Sequence, residues 1–231
     1  MTDGIHGIQV ALFDIAGTLT KVNAWKAIVE SPETDPQRRK RLRRQIMPFW
    51  GAYKVGLYSE YRFRQRWVNR LATLLLGWTE DAIETLFDWA ANTYLADHYR
   101  DDVIAELQQL KAEGVHVVLV SSIFERFAQK IAEKVGADKG IGSILEIENG
   151  KVTGKIVGQT CAGGQKIVIA EQYLGTQQIH TPLKECGVSY SDSISDRSML
   201  EAVKVATAVY PDKRLKACAE KNGWRLITRA L

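Results

Sequence analysis

Leu12-Phe13-Asp14-Ile15-Ala16-Gly17-Thr18-Leu19-Thr20 is the stretch on which the fold turns. It completes the apolar run Ile8–Phe13, Ile-Gln-Val-Ala-Leu-Phe, which is too short for a helix and is stopped by a carboxylate and a glycine. Such a run reads as a buried strand. The next run of this kind, His116–Val120, ends at Ser121. A third, near Gly187–Tyr190, ends at Asp192 with Asp196 close behind, and Val205–Val209 reads as the last strand.

The intervals between these strands set the architecture. About 100 residues separate the first two, too many for one crossover helix. Phe63, Trp67, Leu71, Leu74 and Leu75 recur at helical spacing, as do Ile83, Leu86, Phe87, Ala90 and Tyr94. Thr79 reads as an N-cap, with Glu80 and Asp81 in the first turn. Asp101–Glu113, with Ile104, Leu107 and Leu110 inward and Gly114 as its stop, reads as the true crossover helix. Residues 22–97 are therefore expected to form a small helical bundle inserted into a core made of 1–21 and 98–231. Beyond Ser121 a helix carries Phe124, Phe127, Ile131 and Val135. Ser143–Ile147 and Lys151–Val157 flank Asn149-Gly150, a hairpin signal. A helix near Gly164–Tyr173 and another from Asp212 complete the pattern. Strands alternating with helices imply an α/β fold: a Rossmann-like parallel sheet sandwiched by helices, with an inserted helical cap and a small β-hairpin.

The composition is that of a soluble globular chain: 231 residues, 45% hydrophobic, 25% charged and formally +4. No apolar run approaches the roughly 20 residues of a membrane span, and Met1–Gln9 lacks the pattern of a secretory signal. Cys161, Cys186 and Cys218 are odd in number and lack zinc-site spacing, so they read as reduced cytoplasmic thiols. His6, His98, His116 and His180 also lack ligand spacing and read as structural or solvent-facing. Positive charge concentrates in residues 21–70, with 13 Lys/Arg against 4 Asp/Glu, densest at Arg38–Arg44. A solvated helix face explains that run better than nucleic-acid attachment, because no recognised nucleic-acid motif accompanies it.

Asp14, Ser121, Asp192 and Asp196 converge on one sheet edge if the strands are parallel, and Lys166 opens a helix between the second and third strands. Each alone reads as a cap, a turn residue or solvated charge. Together they suit phosphoryl transfer. Hard carboxylates hold Mg²⁺, a lysine and a hydroxyl meet phosphate oxygens, and a central carboxylate can attack phosphorus.

The same residues carry a resemblance. Leu12–Thr20 is similar to the first motif of the haloacid dehalogenase superfamily, normally Asp-x-Asp-Gly-Thr. Val118–Ser121 resembles the second motif and Lys166 the third. Tyr190-Ser191-Asp192-Ser193-Ile194-Ser195-Asp196 with Arg197–Leu200 resembles the fourth. Order, spacing and a helical cap after the first motif are those of the phosphoserine-phosphatase-like subclass. The resemblance spans about Ile8 to Ile227. It implies an Mg²⁺-dependent phosphatase of a small phosphorylated metabolite, working through an aspartyl-phosphate on Asp14. It implies further that Asp14, Asp192 and the Ala16 carbonyl hold the metal and that Ser121 and Lys166 hold the phosphate. Asp196 would orient Lys166 or a metal-bound water, and Gly17 and Thr18 would shape the phosphate-facing loop.

Two positions depart from that pattern. The family's acid–base Asp, two residues after the nucleophile, is Ala16, a methyl group that moves no proton. General acid–base help is worth roughly 10²–10⁴-fold, so several readings stand side by side: slowed turnover or a borrowed proton donor, a protein that grips a phosphorylated ligand without turnover, an alanine introduced deliberately, and, from a resemblance of Ala16 to the phosphonoacetaldehyde-hydrolase branch, phosphonatase-like chemistry on a cap lysine, with Lys54 as its candidate. The family's substrate-amine Glu, nine residues after the nucleophile, is Asn23, which removes support for free phosphoserine. Of the cap's aromatics, Phe63 and Trp67 belong to the apolar stripe. Of its arginines Arg62, Arg64 and Arg66, some could meet an anionic substrate, but helical arginines at spacing two point to different faces.

Overall fold

A computed structural model describes residues 7–228. His6 and the outermost ends of the expected core segments lie outside the described residues. In chain order the strands and α-helices are β1 (Val10–Phe13), α1 (Trp25–Glu30), α2 (Pro36–Lys54), α3 (Glu60–Ala72), α4 (Glu80–Trp89), α5 (Asp101–Ala112), β2 (His116–Phe124), α6 (Glu125–Val135), β3 (Lys139–Glu148), β4 (Lys151–Val157), α7 (Gln165–Thr176), α8 (Leu183–Cys186), β5 (Gly187–Ser191), α9 (Arg197–Glu201), β6 (Val205–Val209), α10 (Lys213–Asn222) and β7 (Arg225–Ile227).

The strands form one sheet in the order β4-β3-β2-β1-β5-β6-β7, parallel throughout except for the antiparallel β3–β4 pair. β1 lies at the centre, with all four residues buried. Because strand side chains alternate between faces, Ala11 and Phe13 enter one apolar layer and Val10 and Leu12 the other. Helices cover both. The sheet is thus an α/β sandwich in which the chain runs outward from β1 through β2 and β3 to β4, then crosses back to place β5 on the other side of β1. Phe13 stands level with Leu119 and Tyr190 and stacks on the Tyr190 ring at 4.0 Å. Asp14, the next residue, emerges at this switch point.

The helical stretch between β1 and α5 has no core of its own. Ile28, Leu42, Val68, Leu71 and Phe87 pack in the same apolar layer as Phe13, Leu107 and Phe124. α4 accounts for much of this continuity. Thr79 caps it, its hydroxyl accepting from the Ala82 N–H at 3.3 Å, and Phe87 stacks on Phe127 of α6 at 5.3 Å. The β3–β4 hairpin supplies the rest, since Gly77 N–H donates to Val152 C=O and Val152 N–H to Trp78 C=O. A bundle standing apart, as the helical periodicity alone suggests, would leave Phe87 and Trp78 facing water.

Other boundaries shift for identifiable reasons. β2 runs past Ser121 to Phe124, with a register irregularity between Val120 and Phe124 that lets it follow β3. β3 begins at Lys139, because its first half completes the parallel sheet before its second half turns into the hairpin. Asn149 and Gly150 both adopt positive φ, as that tight turn requires. Val103, not Ile104, is the buried partner of Leu107 and Leu110 on α5. Val205–Val209 is not the last strand: the three-residue β7 pairs with β6, and Arg225 forms an ion pair with Glu106 of α5.

The basic run splits into three uses. Arg38 donates to the Leu74 and Leu76 carbonyls, Arg39 to those of Ser31 and Thr34, and Lys40, Arg41 and Arg44 are exposed. Arg43 lines a cavity described below. His116 accepts or donates at the Tyr173 hydroxyl, 3.1 Å away, and lies 3.6 Å from Asp138, a structural role. Among the described residues no helix is long and apolar enough to cross a membrane.

If Phe87 couples α4 to α6 as its packing indicates, Phe87→Ala costs about 3–5 kcal/mol of stability. Denaturant unfolding reads this as a lowered midpoint with a single transition; an unchanged midpoint would contradict the shared core.

Candidate active site

Asp14 leaves the end of β1 with its N–H donating to the Tyr190 carbonyl. The chain then doubles back: the Leu19 and Thr20 N–H groups both donate to Ile15 C=O, and Gly17 N–H donates to Thr20 C=O. Gly17 has φ +94°, and a Cβ there would sit 2.1 Å from an Asp192 carboxylate oxygen. Only glycine permits this turn to press against Asp192. The Gly17 N–H assigned from sequence to the phosphate-facing loop is therefore committed within the loop. The Thr18 hydroxyl donates to Asp192 at 3.2 Å.

Lys166 enters from the first turn of α7, fully buried. Its Nζ donates to Asp14 Oδ1 at 2.6 Å and to Asp196 Oδ2 at 2.7 Å. Asp196 also accepts from the Ser191 hydroxyl at 2.9 Å. The loop before α7 is anchored through Ser143, whose hydroxyl donates to Ser122 C=O and accepts from Cys161 N–H. The loop carrying Asp192 is fixed by Asp212, which caps α10 and also accepts from Ile194 N–H. Ser121 is buried on β2, two residues beyond Leu119, the partner of Phe13.

The electrostatics follow from these distances. Burial raises the Asp14 carboxyl and Asp196 adds to the effect, against the opposing pull of Lys166. Burial alone would lower Lys166, but the two carboxylates outweigh it and keep the ammonium charged. Burial would likewise raise Asp196; Lys166 and then Arg64 reverse it, and Asp196 stays ionised. Asp192 lacks such a partner. Burial, then Asp14 and Asp196, push it up to about 7. Three carboxyl groups thus share one lysine, and burial penalises the ionisation of Asp14 and Asp192.

A family model described as haloacid dehalogenase-like hydrolase matches residues 11–201, which contain every one of these groups. The chain belongs to that family. Relatives of this hydrolase include a probable phosphatase of Mycobacterium tuberculosis, 32% identical over 164 residues, covering 69% of this chain and 54% of the relative. A phosphoserine phosphatase of the same organism is 30% identical over 141 residues, covering 57% of this chain and 45% of the relative. The chain thus spans about half the length of these relatives. Among solved structures, a protein of unknown function from Bordetella pertussis matches with TM-score 0.80 at 22% identity, covering 96% of this chain and 98% of that one. A phosphoserine phosphatase in apo form matches with TM-score 0.66 at 20% identity, covering 96% and 94%. These two establish a shared fold.

Within the hydrolase the sequence-derived residues separate clearly. Asp14, Lys166 and Asp196 meet in one hydrogen-bonded cluster, and Thr18 and Gly17 pack on Asp192. Lys54, the cap lysine considered for phosphonatase-like chemistry, is exposed on α2 with its Nζ over the Trp50 and Tyr53 rings, and does not line the neighbouring cavity. Arg64 is the residue whose place the sequence left open. From α3 its guanidinium pairs with Glu60 at 3.0 Å and reaches 3.5 Å from the Ser193 hydroxyl, so its field acts on both Asp196 and Asp14. The signal was present in its four-residue spacing from Glu60, which aims one arginine of the three. A cavity of about 620 Å³ adjoins the cluster, reaching from Ala16, Asn23 and Ser122 into the helices of residues 22–97.

Two outcomes test this geometry. Lys166→Met leaves Asp14 and Asp196 buried without a cation and lowers stability by about 3–5 kcal/mol, read by urea unfolding; an unperturbed midpoint would deny the cluster. In chelator, folded Asp192 keeps its proton from about pH 4 to about pH 7 while the unfolded chain has released it, so this group's contribution to stability falls as pH rises through that window. Asp192→Asn should therefore gain thermal stability over the parent progressively between those pH values. A gap independent of pH would refute the assignment.

Proposed function

We propose that the protein is an Mg²⁺-dependent phosphatase that hydrolyses a small phosphomonoester through an aspartyl-phosphate on Asp14. The observation that carries this reading is the buried Lys166 held between Asp14 and Asp196 at the switch point of a parallel sheet. Membership in a hydrolase family whose relatives include named phosphatases supports it.

Residues present fit a divalent cation. Asp14 and Asp192 are hard oxygen donors, the Ala16 carbonyl lies on the same loop, and a cation there would favour the ionised form of both buried carboxyls. When bound, the metal would neutralise phosphate charge. The protein's own groups supply the rest. Lys166 orients the Asp14 carboxylate and offers its ammonium to a phosphoryl oxygen, together with the Ser121 hydroxyl. Asp196 holds Lys166 in place. An Asp14 oxygen attacks phosphorus, the bond from phosphorus to the leaving oxygen breaks, and its electron pair departs on that oxygen. Water then attacks phosphorus, the bond to Asp14 breaks, and the two water protons pass to phosphate and solvent.

Residues 22–97 act in this reading as a cap on the core formed by 1–21 and 98–231, with Arg64 and the aromatic helices closing over the phosphate. The free thiols, of which Cys161 and Cys186 are buried, accord with a reducing, cytoplasmic setting.

Ala16 supplies neither the acid of the first step nor the base of the second. Restoring a carboxylate by Ala16→Asp should raise turnover of alkyl phosphates by about 10²-fold or more, and Asp14→Asn should abolish turnover of every ester. A broad phosphate-ester panel with Mg²⁺ checks both. Equal inertness of the parent and Ala16→Asp would reject the phosphatase reading in favour of ligand binding without turnover.

A further inference from the structure

Two features of this chain describe the leaving group that the phosphate must carry. The first is the cavity wall. From Ala16 the space opens between α1, α2 and α3 onto Trp25, Met47, Trp50, Tyr53, Phe63 and Trp67. Trp25 and Trp67 pack edge to face at 4.4 Å, and Tyr53 and Phe63 stack at 5.2 Å, so the walls are flat, preorganised ring surfaces. Met47 and Trp50 are exposed, at 56% and 44%, and form its rim. Asn23, Lys26, Glu30, Arg43, Glu60 and Arg64 make up the polar part of the lining, and the ring faces between them desolvate a planar apolar group.

The second feature is that, among the described residues, no carboxyl group of the lining stands free to serve as the acid beside Ala16, the cavity's other ionisable groups being the bases Lys26, Arg43 and Arg64 and the phenol of Tyr53. Ala16 contributes a methyl group. The two carboxyls that line the cavity are both engaged, Glu60 with Arg64 and Glu30 with the Tyr94 hydroxyl. The Tyr53 phenol is pushed above its ordinary value, chiefly by burial, and is a poor acid. An alkoxide cannot leave readily from such a place. An aryloxide can, because the ring delocalises the electron pair and no proton is needed as the bond breaks.

We infer that the substrate is an aryl phosphate, its ring seated in the Trp25–Trp50–Trp67 cavity and its phosphoryl group facing Asp14. This rests on the phosphatase reading above and narrows it to one substrate class. The two features are independent: apolar walls alone would also admit a cycloalkyl or acyl-chain ester, and the missing acid alone would also admit acetyl phosphate.

The experiment compares kcat/KM for phenyl phosphate, cyclohexyl phosphate, 1-naphthyl phosphate, acetyl phosphate and O-phosphoserine, with Mg²⁺, in the parent and in Ala16→Asp. The inference predicts phenyl over cyclohexyl by about 10²-fold or more, 1-naphthyl over acetyl by about tenfold or more, and a smaller phenyl-to-cyclohexyl ratio in Ala16→Asp. A second readout needs no turnover. Naphthylmethylphosphonate should quench the tryptophan fluorescence of the parent, and Trp50→Ala should weaken that binding about tenfold. Equal rates for phenyl and cyclohexyl phosphate overturn the inference, as does acetyl phosphate matching the naphthyl ester; either leaves the phosphatase reading intact. Hydrolysis of no ester by either protein rejects both.

Discussion

A single buried ammonium organises this molecule. Lys166 lies within 2.7 Å of two carboxylates that come from opposite ends of the sequence, Asp14 after β1 and Asp196 after β5. Neither carboxylate could be buried ionised without it, since an unpaired charge in the interior is prohibitive. The lysine in turn needs both partners to remain charged. The cluster therefore demands that β1 and β5 be neighbours and that α7 begin beside their ends, which is the parallel, centre-out topology observed.

Chemistry follows from what the lysine leaves unsatisfied. One cation among three carboxyl groups is insufficient, and the deficit falls on Asp192, which no ammonium or guanidinium among the described residues contacts and which burial and its neighbours push up to about 7. The same imbalance is what would draw the divalent cation proposed for those oxygens. Gly17 enforces the arrangement sterically, because any side chain there would collide with the Asp192 carboxylate. Reactivity and fold are thus opposed at this edge of the sheet, and the apolar layers on either side of β1 hold it together.

Much of this was legible in the sequence, for physical reasons that can be named. Short apolar runs ending in Asp14, Ser121 and Asp192 favoured buried strands by their length and punctuation, and a parallel sheet brings their ends together whatever lies between. Asn149-Gly150 announced its turn because positive φ at two consecutive positions admits few residues. β7 escaped notice because three residues carry no periodicity, and its place is decided by pairing with β6 and by the Arg225–Glu106 ion pair. The continuity of the helical stretch with the core also escaped notice, since helical spacing says which face is apolar and not what covers it. Arg64 stood apart from Arg62 and Arg66 only by its four-residue spacing from Glu60, and its approach to Ser193 needed α3 placed over the site. The aromatic cavity was visible as a composition, yet Phe63 and Trp67 read as ordinary core until their rings were seen to bound open space.

If Asp14 takes the phosphoryl group, the methyl group at position 16 should slow the water step that releases it. Rapid mixing with phenyl phosphate and Mg²⁺, an acid quench and peptide mass spectrometry test this directly. The account predicts near-stoichiometric phosphorylation of the peptide bearing Asp14, lost in Asp14→Asn and reduced to a trace in Ala16→Asp. Release of inorganic phosphate with no phosphorylated peptide at any time would contradict it.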